Sequence, residues 1–275
     1  MRVCVVGRGK LGCTLQRELL RAGVDSVLVA GRDLRLPPTR DVYLLAVPDA
    51  RIAELARALA SELSRGSVVL HLAGARDEHE LACAREHGAH VGVFHPLLSF
   101  ASKHGAPSLA GATFTAFGDK RAVAAARRLA KRLGARVVVL EHAPGPAYHA
   151  AAALLANGAV ALTQLAVQTL LAVGFEQRAA ERALSTLLAS VAANVAQLGV
   201  PAALTGPVSR GDRATVAAHL AALGQIDRKL AAHYAALQPA LIATALARGL
   251  DPRLARSLQR TVDASGVAKR AQVTK

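Results

Sequence analysis

The sequence predicts an α/β domain, with a mostly parallel sheet covered by helices on both faces, followed by an all-α C-terminal domain. Three observations predict it. Short Val- and Leu-rich runs alternate with amphipathic stretches as far as Leu140. The runs are apolar nearly throughout, as strands buried on both faces are. After Pro144-Gly145-Pro146 the strand pattern stops and only helical stretches follow.

The strand-like runs are Arg2–Val6, Ser26–Ala30, Val42–Val47, Ser67–Leu72 and His90–Phe94, then Thr113–Phe117 and Arg136–Leu140. Helical stretches at Leu11–Ala22, Ala50–Ser64, Glu78–His87 and Lys120–Leu133 separate them. In the second half the helices are Ala147–Val173, Gln177–Leu198, Arg213–Leu223, Ile226–Arg248 and Pro252–Val262. Gly174, Gly199-Val200-Pro201, Gly224 and Gly249 mark their expected stops. The domains therefore run 1–145 and 146–275, and the polar end AKRAQVTK reads as a mobile tail.

Hydrophobic residues at 52% against 19% charged exclude disorder over most of the length. The 34 Lys and Arg against 19 Asp and Glu give a formal net charge of +15, which favours phosphorylated or carboxylated ligands. Aromatics at 3%, with no Trp, leave few stacking platforms for single-stranded nucleic acid. The basic residues are spread along helices, so a solvated Arg-rich surface and no nucleic-acid partner are expected. Cys4, Cys13 and Cys83 lack metal-ligand spacing, which points to free buried thiols in a reducing compartment and to no metal. The start MRVCVVG enters a strand at once and leaves no room for a signal peptide, so a cytoplasmic location is expected. From His142 to Phe175 there is no Asp, Glu, Lys or Arg, enough length to span a bilayer. Asn157, Thr163, Gln164 and Gln168 within it argue for a buried or dimer-forming helix rather than a membrane span.

Gly7-Arg8-Gly9-Lys10-Leu11-Gly12 follows the first strand and opens the first helix. This is the G-x-G-x-x-G pattern in the strand-turn-helix setting that makes it a dinucleotide cradle. Gly7 permits the tight turn, Gly9 lets a pyrophosphate approach the backbone, and Gly12 lets the helix pack on the strand. The helix N-terminus offers free N–H groups to the anion. At the end of the second strand stands Gly31-Arg32-Asp33-Leu34-Arg35, where NAD-selective domains place an acid. Arg32 would take a 2′-phosphate in bidentate fashion, favouring NADP over NAD, while Asp33 would serve a ribose instead. Val47 and Pro48, then Ala73 and Gly74, then Pro96 end later strands at the carboxyl edge and complete the expected cofactor contacts. Asp49 is expected either to cap the next helix or to meet a ligand.

Three further segments carry a resemblance: His95-Pro96-Leu97-Leu98-Ser99-Phe100, Tyr148-His149-Ala150-Ala151-Ala152 leading to Asn157, and Leu204 through Asp212 (LTGPVSRGD). On these the chain resembles the Rossmann-like family with a C-terminal domain of unknown function, DUF2520. That family lies within the superfamily of 6-phosphogluconate dehydrogenase, ketopantoate reductase and pyrroline-5-carboxylate reductase. The resemblance implies a Rossmann domain joined to a helical substrate and dimerisation domain, an NADP cofactor and a homodimer. It supplies no substrate. Several of the better-known relatives carry a catalytic Lys one helical turn before an Asn. Counted back from Asn157, that position is Ala153, so their proton-transfer scheme does not carry over.

The candidate chemistry then rests on a few polar side chains. His149 and Asn157 lie about 12 Å apart along one helix, and His149 would donate a proton as hydride arrives or else hydrogen-bond the domain junction. His95 and Ser99, at the carboxyl edge, would floor the nicotinamide pocket or meet substrate. Thr205 would bond the reacting group, while Ser209 and Arg210 would hold a substrate carboxylate. Asp212 is expected to cap the helix beginning at Arg213. Two functions follow: an NADP-dependent oxidoreductase for a small carbonyl or imine substrate, with its site between the domains, or a nucleotide-binding sensor or scaffold without turnover.

Overall fold

The computed structural model describes residues 1–32, 34, 37, 39–103 and 107–266. Asp33, Arg35 and the tail, all named above, lie outside the described residues. The chain divides into two compact units, Met1–Ala156 and Asn157–Lys275.

The first unit is built on a sheet of β1 (Arg2–Val6), β2 (Asp25–Val29), β3 (Val42–Leu45), β4 (Val68–His71), β5 (His90–Pro96), β6 (Thr113–Gly118) and β7 (Arg136–Val139). Their order is β2-β1-β3-β4-β5-β6-β7. Every neighbouring pair is parallel except β5 and β6, which are antiparallel. A parallel return needs a crossover, usually a helix. The described residues between β5 and β6 form none, so the chain turns back on itself, and Leu97 N–H donates to Thr113 O at 2.9 Å.

Alternate residues of one strand enter two cores, which is why the runs are apolar throughout. Val3 and Val5 pack with Leu15 and Leu19 of α1 (Lys10–Arg21) and with Leu129 of α4 (Lys120–Arg132). Cys4 and Val6 pack on the other face with Ile52 and Leu59 of α2 (Ile52–Ala60) and with Leu81, just before α3 (Ala82–Glu86). Burial pushes the Cys4 thiol up to about 11, an unreactive side chain. Cys13 and Cys83 are only half-buried, which corrects the expectation of three buried thiols.

Helix α5 (Gly145–Ala172) carries the chain past the division, and α6 (Gln177–Leu198), α7 (Val200–Ala203), α8 (Arg213–Ile226), α9 (Arg228–Ala247) and α10 (Pro252–Ala264) follow. Val216, Leu220, Ala235, Ile242 and Leu258 of α8, α9 and α10 form the core of this unit. Gly224 does not end its helix: α8 runs through it, and the chain breaks at Asp227, whose carboxylate accepts from Lys229 N–H and caps α9. The uncharged segment is not buried in the monomer either, since α5 buries only Val167, while Leu154 and Leu155 are 80% and 77% exposed. Helices α5 and α9 are long and apolar enough to cross a membrane.

Candidate active site

The glycine turn at the end of β1 contains two kinds of glycine. Gly7 has φ +123°, and a Cβ there would lie 2.2 Å from Ala46 O. At Gly12 a Cβ would lie 1.8 Å from Gly7 O. Both are required by packing of the turn against β3 and of α1 against the turn. At Gly9 a Cβ would meet nothing within 4 Å, so its bareness serves no contact within the protein. It leaves open space in front of α1. The first intrahelical bond is Cys13 N–H to Gly9 O at 3.0 Å, so the N–H groups of Lys10, Leu11 and Gly12 have no helical acceptor. No acid stands in the first turn, and Arg8, Lys10 and Arg32 are exposed around it. The turn lies where β1 is flanked by β2 on one side and β3 on the other, the switch point at which open parallel sheets receive ligands.

Further along the edge, Ala73 N–H donates to His71 Nδ1 at 3.3 Å. Its Nε2 therefore carries the proton and donates to Asp77 O at 2.8 Å. His71 is fully buried, burial lowers its pKa, and it braces the Ala73-Gly74 turn as a neutral ring. His95 lies against that turn, because a Cβ on Gly74 would meet its Cε1 and Nε2 at 2.8 Å. His95 Nδ1 is 2.8 Å from the Tyr148 hydroxyl, which is 3.0 Å from Thr115 Oγ1. Burial, with help from His149, lowers the His95 pKa to about 4, while burial raises that of Tyr148. His149 is exposed, its ring 6.4 Å from that of His95.

The predicted residues Ala73, Gly74, His95 and His149 thus converge, and the structure adds His71, Thr115 and Tyr148, which sequence reasoning had not assigned to the site. Val47 is half-buried, Pro48 and Ser99 are exposed, and Pro96 is buried within β5 in register with Phe114. Asp49 opens a short 3₁₀ turn whose N-cap is Pro48, which corrects the capping expectation; its carboxylate lies 4.0 Å from Arg76. In the second unit Asn157 and Thr205 are exposed, and Ser209 Oγ donates to Gly206 O at 2.8 Å. Arg210 lines a pocket of about 350 Å³ with Ser209, Arg248 and Asp251. Asp212 caps α8 as expected, accepting from Thr215 N–H at 3.0 Å and Thr215 Oγ1 at 2.6 Å.

A glycine turn at the switch point of an open, mostly parallel sheet, with a helical region after it, defines the class: a Rossmann fold with a helical C-terminal region. Residues 112–240 match the model of the family described as a domain of unknown function, DUF2520. That span includes the second and third segments on which the sequence resemblance rests. A Bacteroides fragilis protein to which NADP oxidoreductase activity is ascribed superposes with a TM-score of 0.67 at 20% identity, covering 94% of this chain and 98% of that one. A Thermotoga maritima protein gives 0.62 at 21%, covering 96% and 99%. A reductive aminase from Aspergillus terreus, solved with NADPH and ethyl levulinate, gives 0.55 at 14%, covering 100% and 99%. These likenesses establish the shared fold. No curated protein matches the chain.

Proposed function

We propose that the protein is an NADP-dependent oxidoreductase that moves a hydride to or from a small carbonyl or imine substrate bearing a carboxylate, in the cytoplasm. The observation that carries this reading is the empty space over Gly9 in front of α1, a cradle that any side chain would fill. A bound nicotinamide dinucleotide would supply the hydride chemistry. The chain's own part is to hold it: amides of residues 10–12 take the pyrophosphate charge and the Arg32 guanidinium takes the 2′-phosphate. Neutral His95, set against Gly74 and bonded to Tyr148, orients the reacting group, with His149 beside it as the proton source. Thr205, Ser209 and Arg210 serve substrate binding, Arg210 meeting the carboxylate. Support comes from the NADP oxidoreductase activity ascribed to the Bacteroides neighbour and from the NADPH held by the Aspergillus reductive aminase.

The test is calorimetric titration with NADPH and NADH, then loss of NADPH absorbance against a panel of keto acids and cyclic imines. Absence of any nucleotide binding removes the proposal. A second reading, a nucleotide sensor without turnover, is favoured by Ala153 at the position where the resembled dehydrogenases carry their Lys. Tight binding with no oxidation across the panel supports the sensor. The exposed apolar side chains of α5 further support pairing of two chains through that helix.

A further inference from the structure

Helix α4 gathers the basic residues that look dispersed in the sequence. Its exposed positions are Lys120, Arg121, Arg127, Arg128, Lys131 and Arg132, and every one is a cation. At 100° per residue, Lys120, Arg127 and Lys131 form one row and Arg121, Arg128 and Arg132 a second beside it, over about 18 Å of axis. Neither α4 nor the strands β4 to β7 contain an Asp or Glu. The acid just before the helix, Asp119, is held by Arg85 at 3.0 Å and by Val91 N–H at 2.8 Å. Among the described residues none of the six cations forms an ion pair, and Arg121 reaches only His90 Nε2, at 3.4 Å. Arg121 and Arg128 also wall a cleft of about 410 Å³ with Met1, Asp41 and Gly66 at the amino ends of the strands, away from the glycine turn.

We propose that this face of α4 binds the phosphodiester backbone of a nucleic-acid duplex without reading its sequence. Six like charges held on one rigid face repel one another, and a polyanion relieves that repulsion while releasing its counterions. A double helix is favoured over the alternatives by what the face lacks. The apolar side of α4, with Ala122, Ala125, Ala126, Leu129 and Ala130, is spent on the core, so nothing remains to insert into a lipid surface. No aromatic residue lies on the helix to stack the bases of a single strand. The cations meet phosphates only, which position a duplex but do not read it. The proposal runs against the expectation, drawn from composition, of a solvated Arg-rich surface with no nucleic-acid partner, and the experiment decides between them.

The experiment is fluorescence anisotropy of the full chain with labelled DNA and RNA duplexes of about 20 base pairs, several times the ~5 steps that the face spans at 3.4 Å each. Duplexes of unrelated sequence should bind alike. For six phosphate contacts the affinity should fall on the order of 10³-fold between 50 and 200 mM salt. The Arg127→Ala/Arg128→Ala/Arg132→Ala variant should lower the salt slope by about 3. A control with Arg213→Ala, Arg228→Ala and Arg253→Ala removes the same charge from exposed positions elsewhere and should bind as the wild type does. Ala is the best helix former, so α4 should survive; if that variant fails to fold, Arg127→Gln/Arg128→Gln should lower the slope by about 2. The proposal is overturned by no duplex binding at 50 mM salt, by an equal loss in the control, by tighter binding of single strands, or by binding to phosphatidylserine vesicles but to no duplex.

Discussion

The two kinds of glycine in the β1–α1 turn make opposite predictions. In Gly12→Ala the new methyl sits 1.8 Å from Gly7 O, a backbone atom with no rotamer to move away. Ordinary contact begins near 3.4 Å, so α1 or the turn must shift, at a cost of about 3 kcal/mol or more. For a unit of this size each kcal/mol moves the melting point by about 2 to 4 °C, so the variant should melt roughly 6 to 12 °C lower. In Gly9→Ala the methyl meets nothing within 4 Å, and the backbone at φ −74° and ψ −177° is open to any residue. Its melting temperature should stay within about 2 °C of the wild type. Yet the methyl occupies the proposed pyrophosphate seat, so NADPH affinity should fall at least tenfold, a loss of about 1.4 kcal/mol. Circular dichroism melting and calorimetric titration read the two effects separately. If Gly9→Ala melts as low as Gly12→Ala, or binds NADPH as tightly as the wild type, the open space is not a nucleotide seat and the reasoning fails.

Arg32→Asp should reverse the nucleotide preference, weakening NADPH by at least tenfold and sparing NADH, in paired calorimetric titrations. The His95 pKa near 4 lies below the ordinary histidine value near 6.5, so the unfolded chain takes up a proton in that window and the folded one does not. This stability is complete above about pH 6.5 and is lost as pH falls toward 4; urea unfolding at the two ends should show His95→Gln losing about 2 to 3 kcal/mol less than the wild type. Tyr148→Phe strips the partner from both His95 Nδ1 and Thr115 Oγ1 and should cost about 1 to 3 kcal/mol in the same unfolding assay at pH 7, whereas an unchanged midpoint would show that the shared hydroxyl contributes nothing. Light scattering at micromolar concentration should return twice the 28.4 kDa chain mass, and Leu155→Glu with Val160→Glu on α5 should return the single mass.

Much of the fold was legible because each of its strands is short, apolar and bounded. All seven runs start within one residue of the strand they predict and end within two. The direction of β6 was not legible, since a strand buried on both faces has the same pattern whichever way it runs. Gly224 misled because a glycine inside a helix costs only about 1 kcal/mol against alanine, which flanking helical residues absorb. The cap at Asp227 was the stronger signal. The uncharged stretch of α5 leaves two readings open, a buried or a dimer-forming helix, because lack of charge marks only a surface that avoids water, and a second chain covers such a surface as well as a core does. The cationic face of α4 stands in the sequence at spacings of one, seven, eight, eleven and twelve, which look dispersed along the chain and gather only around the helix.

The polar cluster depends on the feature that was hardest to foresee. His95 of β5 is in register with Thr115 of β6, so their side chains project from the same face of the sheet. One hydroxyl, that of Tyr148 at the start of α5, then reaches both, although the three residues are far apart in sequence. His71, one strand further in, spends both ring nitrogens on the backbone and has none left for a ligand. His95 uses only Nδ1 on Tyr148, and its Nε2 lies against the bare backbone of Gly74. Two histidines at neighbouring strand ends are thus divided by geometry into a brace and a ring with one nitrogen to offer.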